Sequence, residues 1–338
     1  MPKRFSTKDL VAREEPTDTR GGLGSFTFTD DYSVFHFGKM PDRVPDKGEA
    51  CCRIAAFNFG LLERAGVHHH FRGFQPPTRM EFVLLRVLDP RLRTLTPGDV
   101  NHLIPLQVIF RNTVPEGSSV LRRLRLGRLT PQDIGLAEPP EPGTVLSRPL
   151  VEYTTKLEEI DRFVDRAEAA AIGGLDDGQQ AELEARTREI DEIVTAHARG
   201  LGLLHADGKV EFGRDDRGRL MLVDHAGTPD EARLLLDGAH VGKQVLRDHY
   251  TATGLQGRVE EWVREGRPRS TWPAPEPLPP ELVELTAEMY RSLCEAWTGV
   301  KVWGAQDLDR VLARLAEVAP GPRERGAAGP GTSRKGMS

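Results

Sequence analysis

The sequence predicts an α+β protein, and three observations carry that reading. The first third is rich in alternating strands with aromatic and β-branched residues. A long amphipathic helix runs directly into an alternating hairpin, and a proline-led helix follows a Pro-rich connector. In chain order, residues 1–20 are charged and aperiodic and read as a flexible N-terminus. "GSFTFTDDYSVFHFG" (24–38) reads as strand–turn–strand. "EACCRIAAFNFGLLERAG" (49–66) reads as a helix with Ile54, Phe57, Leu61 and Leu62 on one stripe, Cys51 and Cys52 in its core, and Gly66 as its stop. Residues 81–88 and 103–112 read as buried strands, and "DDGQQAELEARTREIDEIVTAHARG" (176–200) as a helix with acid at its start and glycine at its end. The hairpin 206–225 follows, then "VGKQVLRDHY", a connector over 267–280 and the helix opened by Pro280. The resulting division is a β-rich lobe over 21–110, a larger lobe over 111–305, a terminal helix over 306–318 and a disordered tail over 319–338.

With 338 residues the chain can bury a sizeable core, and a net charge of −5 offers no broad basic surface for nucleic acid or anionic membrane. No apolar leader or membrane-length run is present, and Cys51, Cys52 and Cys294 make no metal spacing, so a reduced cytoplasmic protein is expected. "VHHHFRG" (67–73) invites a metal reading, but consecutive histidines on a strand alternate faces and cannot all converge. The basic run "LRRLRLGR" (121–128) reads as a solvated segment, and no Ser–His–Asp or Cys–His order stands out.

The chemistry concentrates in "ADGKVEFGRDDRGRLMLVDH" (206–225). Side chains alternate along a strand, so Asp207, Lys209 and Glu211 share one face. A turn centred near Asp216 and Arg217 sets Lys209 opposite Asp224 with Glu211 one diagonal step away; a two-residue slip sets Glu211 opposite Asp224. Two such carboxylates can share one Mg²⁺, which is typically held by one or two carboxylates plus substrate phosphates, and a lysine beside them can neutralise phosphate oxygens. A salt-bridged solvated face is the plainer reading. "PLQVIFRN" running into "TVPEGSS" adds Arg111, Ser118 and Ser119 as an anion cradle, and "GGLGSF" (21–26) is a glycine-rich turn that could lie over phosphates through Gly22 and Gly24.

Together with "DDYSVFHFGKMPDRVPDKGEA", "TTKLEEIDR", "LVDHAGTPDEAR" and "KQVLRDHY", these motifs resemble the SAICAR synthetase family, in the family's order over residues 20–305, with wording nearest its archaeal members. The resemblance implies an antiparallel β lobe over a kinase- or ATP-grasp-like lobe. It implies a reaction in which ATP phosphorylates the carboxylate of carboxyaminoimidazole ribotide and the amine of L-aspartate displaces phosphate, giving SAICAR, ADP and phosphate. By the same resemblance Glu211 and Asp224 are the magnesium acids. Lys209, Asp207 and Lys156 serve the chemistry, with Lys209, Glu211 and Asp224 also at the nucleotide. Arg111, Ser118, Ser119, Asp161, Arg233, Lys243, Arg247 and His36 bind substrate. A homo-oligomer has precedents in the family.

The chain departs from the family pattern at "GGLGSF", which has no lysine, and at His36, Gln107 and His225, where the family carries acids. These departures leave two further readings beside the purine ligase. One is the same ATP chemistry on a related ribotide, as in nucleoside-antibiotic assembly of the pentostatin or coformycin type. The other is a nucleotide-binding protein that has lost catalysis.

Overall fold

In the computed structural model, which describes residues 3–319, the first lobe begins with β1 (Lys3–Arg4), β2 (Lys8–Glu14) and β3 (Gly22–Phe28). The short hairpin β4 (Asp31–Val34) and β5 (Gly38–Arg43) follows, then helix α1 (Lys47–Arg64), β6 (Phe71–Gln75) and β7 (Arg79–Leu84). These strands form an antiparallel sheet in the order β1-β2-β3-β7-β6, with β4 and β5 paired apart from it. The expected strand–turn–strand over 24–38 is therefore split between two sheets.

The flexible N-terminus expected over residues 1–20 is corrected. β2 pairs with β3 from Lys8↔Phe28 through Leu10↔Phe26 to Ala12↔Gly24. Its alternation is hidden in the sequence because one inward position is a charged residue. Lys8 is buried, and its amine lies 4.5 Å from the centre of the Phe26 ring, so the apolar stem and the ring face offset its placement indoors.

α1 buries Cys51, Ile54, Ala55, Asn58, Phe59 and Leu62, the i, i+3, i+4, i+7 stripe of a core-facing helix. The stripe is rotated from the expected one: Phe57 and Leu61 are only half-buried, whereas Cys51 and Cys52 are core as expected. Asn58 couples three parts of the fold, donating to the Ala226 carbonyl at 2.8 Å and accepting from the Trp297 indole at 2.7 Å.

The larger lobe contains β8 (His102–Leu103), β9 (Leu106–Val114), α2 (Ser119–Arg125), β10 (Thr144–Thr155), β11 (Phe163–Val164), α3 (Arg166–Gly173), α4 (Asp177–Gly200), β12 (Leu204–Arg214) and β13 (Leu220–Val223). It continues with β14 (Arg233–Leu236), β15 (Ala239–Val241), α5 (Lys243–Ala252), α6 (Leu255–Arg264), α7 (Pro280–Thr298) and α8 (Leu308–Val318). The main sheet runs β11-β10-β9-β12-β14-β15, with β8 and β13 on the far half of β12. β12 is the longest-reaching strand, pairing with four others, and so carries residues from one cluster of charges to the next.

α4 starts on a reciprocal cap in which Asp176 and Gln179 each bond the other's backbone N–H, and it packs Leu183, Ile190, Val194 and Ala198 inward. α7 begins with Pro280 in its first turn and ends on Gly299 at φ 71°, the left-handed residue that closes many helices. The segment after it is tied down by Glu295. This acid is 3% exposed and accepts backbone N–H groups from Val302, Trp303, Gly304 and Ala305 at 2.6–3.1 Å, beside the Lys301 amine. Burial alone would raise its pKa, but the bonds from Trp303, Val302, Lys301 and Gly304 outweigh that and draw it down to about 2. Its folded pKa is below its unfolded one, so its contribution is present above pH ~4.5 and is lost as pH falls towards 2. That contribution is roughly 3 kcal/mol, and Glu295→Gln should flatten the acid limb of the stability–pH curve measured by denaturant unfolding.

The hairpin of β12 and β13 closes through a three-residue loop. Asp215 pairs with Arg219, and Gly218 at φ 75° takes the left-handed position such a loop needs. The ladder therefore sets Glu211 opposite Val223, one residue away from either expected register. In a continued ladder Asp224 would face away from Glu211. Instead β13 stops at Val223, and Asp224 turns with φ 63°.

The expected tail, beyond Ala319, lies outside the described residues. No helix of the described residues is long and apolar enough to cross a membrane.

Candidate active site

Asp207, Lys209 and Glu211 project from one face of β12. The register sets Asp207 opposite Arg111 of β9 on one side and Arg233 of β14 on the other. Its Oδ2 accepts from both guanidinium groups, at 3.0 Å from Arg111 and 2.7 Å from Arg233. Burial would raise the Asp207 pKa, but Arg233, Arg111 and Arg247 hold it below the ordinary carboxylate range. Asp207 is thus an ionised brace that fixes two arginines. Expected as a catalytic group, Asp207 spends its Oδ2 on these two arginines.

The cradle around this brace is cationic. Arg111 also donates to Glu152 at 2.6 Å and to the Ser119 hydroxyl at 3.0 Å, while Arg123 donates to the other oxygen of Glu152. Arg233 and Arg247 both donate to Gln244 Oε1, at 3.1 and 3.3 Å. Four guanidinium groups therefore share two carboxylates, Asp207 and Glu152. Burial and the neighbouring Arg233 press the Arg247 pKa down. Ser118, expected in the cradle, spends its hydroxyl accepting the Val120 N–H as the N-cap of α2.

At the other end of the same face, Glu211 receives Lys156 at 2.5 Å and Lys209 at 3.5 Å, and Lys209 also reaches Glu231 at 3.0 Å. Burial would push the Glu231 pKa up, but Lys209 and His225 bring it down to about 2. Burial would lower the Lys209 pKa, but Glu231, Glu211 and Asp224 hold it above its ordinary value. Lys8 caps Asp224, and the combined pull of Lys8, His225, Lys156 and Lys209 keeps that acid ionised despite burial. Asp161 lies beside Lys209 and Lys156 with its pKa raised by burial, and its Oδ2 accepts from the Gln107 amide at 3.2 Å.

The left-handed turn at Asp224 is held from the first lobe. His70 donates its Nε2–H to the Asp224 carbonyl at 3.0 Å, and the Val83 N–H bonds the His70 carbonyl at 2.8 Å. Burial brings the His70 pKa down to about 4, so it stays neutral and stacks 4.7 Å from Phe82. The other two histidines go elsewhere. His68 meets Asp215 at 3.0 Å and His69 packs on Phe59. Among the described residues no group of three or more His, Cys, Asp or Glu is placed to hold a metal ion.

A third cluster centres on Asp230, next in the chain to Glu231. Lys47, 1% exposed, pairs with Asp230 at 2.6 Å, and Tyr290 donates to the other oxygen of Asp230 at 2.8 Å. Lys243 stands beside it.

The fold thus brings Arg111, Ser119, Asp207, Arg233 and Arg247 into one cluster, and Lys156, Asp161, Lys209, Glu211 and Asp224 into the other. Gly22 and Gly24, expected at the phosphates, each have a packing reason of their own. A Cβ on Gly22 would lie 2.1 Å from the Glu14 carbonyl oxygen, and one on Gly24 would lie 2.8 Å from the Phe82 ring, so packing inside the lobe dictates both glycines. His36 is half-buried. Burial, Arg269 and Arg122 lower its pKa, and no arginine of the cradle is among the charged groups that shift it. His225 is buried, 3.2 Å from the Thr228 hydroxyl and packed on Phe28. Sequence reasoning missed Lys8, Lys47, His70, Asp230 and Glu231. The inward alternation Lys8–Leu10–Ala12 was the available signal for the first.

The SAICAR synthetase family profile matches residues 18–262. A protein of Archaeoglobus fulgidus provisionally named phosphoribosylaminoimidazole-succinocarboxamide synthase is 39% identical over 332 residues, 93% of this chain and 99% of the relative. The phosphoribosylaminoimidazole-succinocarboxamide synthase of Thermoplasma acidophilum is 32% identical over 82% of this chain and 93% of its own. Among solved structures, the Saccharomyces cerevisiae SAICAR synthase complexed with SAICAR superposes with a TM-score of 0.65 at 21% identity, covering 89% of this chain and 95% of that one. A SAICAR synthetase in complex with ADP gives 0.61 at 21% identity, over 89% and 99%. Those two likenesses establish the two-lobed fold, and the family match and the sequence relatives establish kinship: the chain belongs to the SAICAR synthetase family of ATP-dependent ligases.

Proposed function

We propose that the protein joins L-aspartate to carboxyaminoimidazole ribotide through an acyl phosphate, releasing SAICAR, ADP and phosphate. The observation that carries this reading is the single face of β12. It presents an arginine cradle at Asp207 and, two strand steps away at Glu211, a pair of carboxylates ringed by lysines. The cradle suits a ribotide phosphate. The lysines suit the phosphates of ATP, and the ribotide carboxylate would lie between the two ends. Phosphorylation gives that carboxylate a leaving group, and Lys209 and Lys156 offset charge on the transferred phosphoryl.

Glu211 and Asp224 fit a magnesium ion by donor chemistry. Glu211 is buried and Asp224 partly so, and two carboxylates of this kind suit an ion that completes its shell with phosphate and water. When bound, that ion would neutralise and orient the phosphates of ATP. Lys8 takes the place of the lysine absent from "GGLGSF", reaching Asp224 from the neighbouring strand.

A second reading, the same chemistry on a different carboxylated ribotide, is favoured by Gln107, a neutral amide bonded to Asp161. ADP release measured with ATP, aspartate and the ribotide tests both. Turnover dependent on all three is expected. ATP consumption only with another azole ribotide would transfer the assignment to the second reading.

A further inference from the structure

Lys243 opens α5, directly after Gly242. The groups facing its amine are Ser33 of β4, Lys47 of α1, Asp230 and Glu231 of the segment before β14, and Arg247 one turn along α5. Both acids are engaged elsewhere: Asp230 with Lys47 at 2.6 Å and Tyr290 at 2.8 Å, Glu231 with Lys209 at 3.0 Å. The amine has one polar contact, the Ser33 hydroxyl at 3.4 Å, and no carboxylate of the described residues stands at ion-pairing distance from it. Its neighbour Lys47 shows the contrast: there the Asp230 counter-charge outweighs burial and raises the pKa. At Lys243 burial and the Arg247 guanidinium bring the pKa down to about 8, which leaves a neutral amine accessible near physiological pH. Charges from both halves of the site act on Lys243: Arg247 of the cradle, and Glu231, the partner of Lys209.

Resting on the acyl-phosphate reading above, we propose that Lys243 is the general base of amide formation, accepting the proton that the attacking amine sheds. The amine lone pair forms the C–N bond to the acyl carbon. The bond from that carbon to the phosphate-bearing oxygen breaks, and phosphate leaves with its electron pair. Lys243 Nζ takes the proton whose loss from the aspartate ammonium frees that amine lone pair, becomes an ammonium itself and later returns the proton to solvent; the second proton, shed by nitrogen as the amide forms, leaves with the phosphate. Phosphorylation of the carboxylate precedes this and does not call on Lys243.

Two nucleophiles separate the steps. Aspartate arrives as an ammonium and needs a base, whereas hydroxylamine is unprotonated near neutrality and captures an acyl phosphate as a hydroxamate without one. Lys243→Met and Lys243→Arg should each lower the kcat of aspartate coupling at least ~10²-fold, with the loss in hydroxamate formation confined to roughly threefold. The arginine variant matters because it keeps the positive charge and removes the base. If Lys243→Arg couples aspartate at near the wild-type kcat, Lys243 is a cation for a substrate carboxylate and the proposal is overturned. Equal loss with both nucleophiles in both variants overturns it too, because the defect then lies before the amine attacks. Absence of hydroxamate from the wild-type enzyme would instead refute the acyl-phosphate reading itself. Retained hydroxamate formation in the variants shows that they are folded.

Discussion

Glu211→Gln and Asp224→Asn should each lower ADP formation at least ~10²-fold, by more than any loss of folded protein accounts for. Each substitution keeps side-chain volume and removes one negative charge from the end of β12 where Lys156, Lys209 and Lys8 converge. Fewer anionic oxygens weaken the hold on a divalent cation, so the half-saturating Mg²⁺ concentration should rise about 10–100-fold in each variant. The two sites differ in what they leave behind. When Glu211 is neutralised Lys209 retains Glu231 and the more exposed Lys156 turns to solvent, whereas the better-buried Lys8 loses its carboxylate partner when Asp224 is neutralised. Asp224→Asn should therefore show the larger loss of stability. Steady-state ADP release over a Mg²⁺ titration, with denaturant unfolding in parallel, checks both points. Near-normal activity in either variant would remove that acid from the metal site.

Asp230→Ala should destabilise the fold by about 3–5 kcal/mol, because it strands the ammonium of Lys47 in the interior. Lys47 is 1% exposed and has Asp230 at 2.6 Å, with the Tyr290 ring face 5.8 Å away. The pair's net worth is much smaller than the cost of breaking it, since both charges lost hydration to reach the interior. The double variant Lys47→Met with Asp230→Leu should therefore recover most of the loss. Urea unfolding of the single and double variants reads this directly, and an additive or worse double variant would contradict it.

The parts of the fold legible in the sequence are those with local causes. The ends of α4 and α7 follow from Asp176 with Gln179, from Pro280 and from Gly299, each acting within a few residues of itself. The register of the β12–β13 hairpin was less legible. "RDDRGR" admits loops of different length, and the three-residue choice changes which face each return residue takes. The left-handed turn that brings Asp224 back is held by His70, 154 positions away in the chain. β2 was hidden for a similar reason. Lys8 looks like a surface residue until Phe26, Phe28 and Asp224 are folded over it. Gly22 and Gly24 show the converse limit, since a sequence does not tell a glycine that admits a ligand from one that admits a neighbouring backbone, as Gly22 does for Glu14, or a phenylalanine ring, as Gly24 does for Phe82.

Of the candidate site, the residue types and most members were readable, and the pairing was not. Asp207 and Arg111 stand out as charged residues at strand positions, but the Arg–Asp–Arg brace appears only when β9, β12 and β14 are laid in register. That register is also what spaces the cradle from the carboxylate pair, as the proposed reaction on one substrate spanning both ends requires.

The most direct test of that claim is the fate of an oxygen atom. With ¹⁸O in the carboxylate of carboxyaminoimidazole ribotide, turnover with ATP and aspartate should deliver one labelled oxygen to inorganic phosphate, because the carboxylate oxygen that attacks the γ-phosphorus departs with it. Unlabelled phosphate accompanying SAICAR and ADP would contradict an acyl-phosphate route.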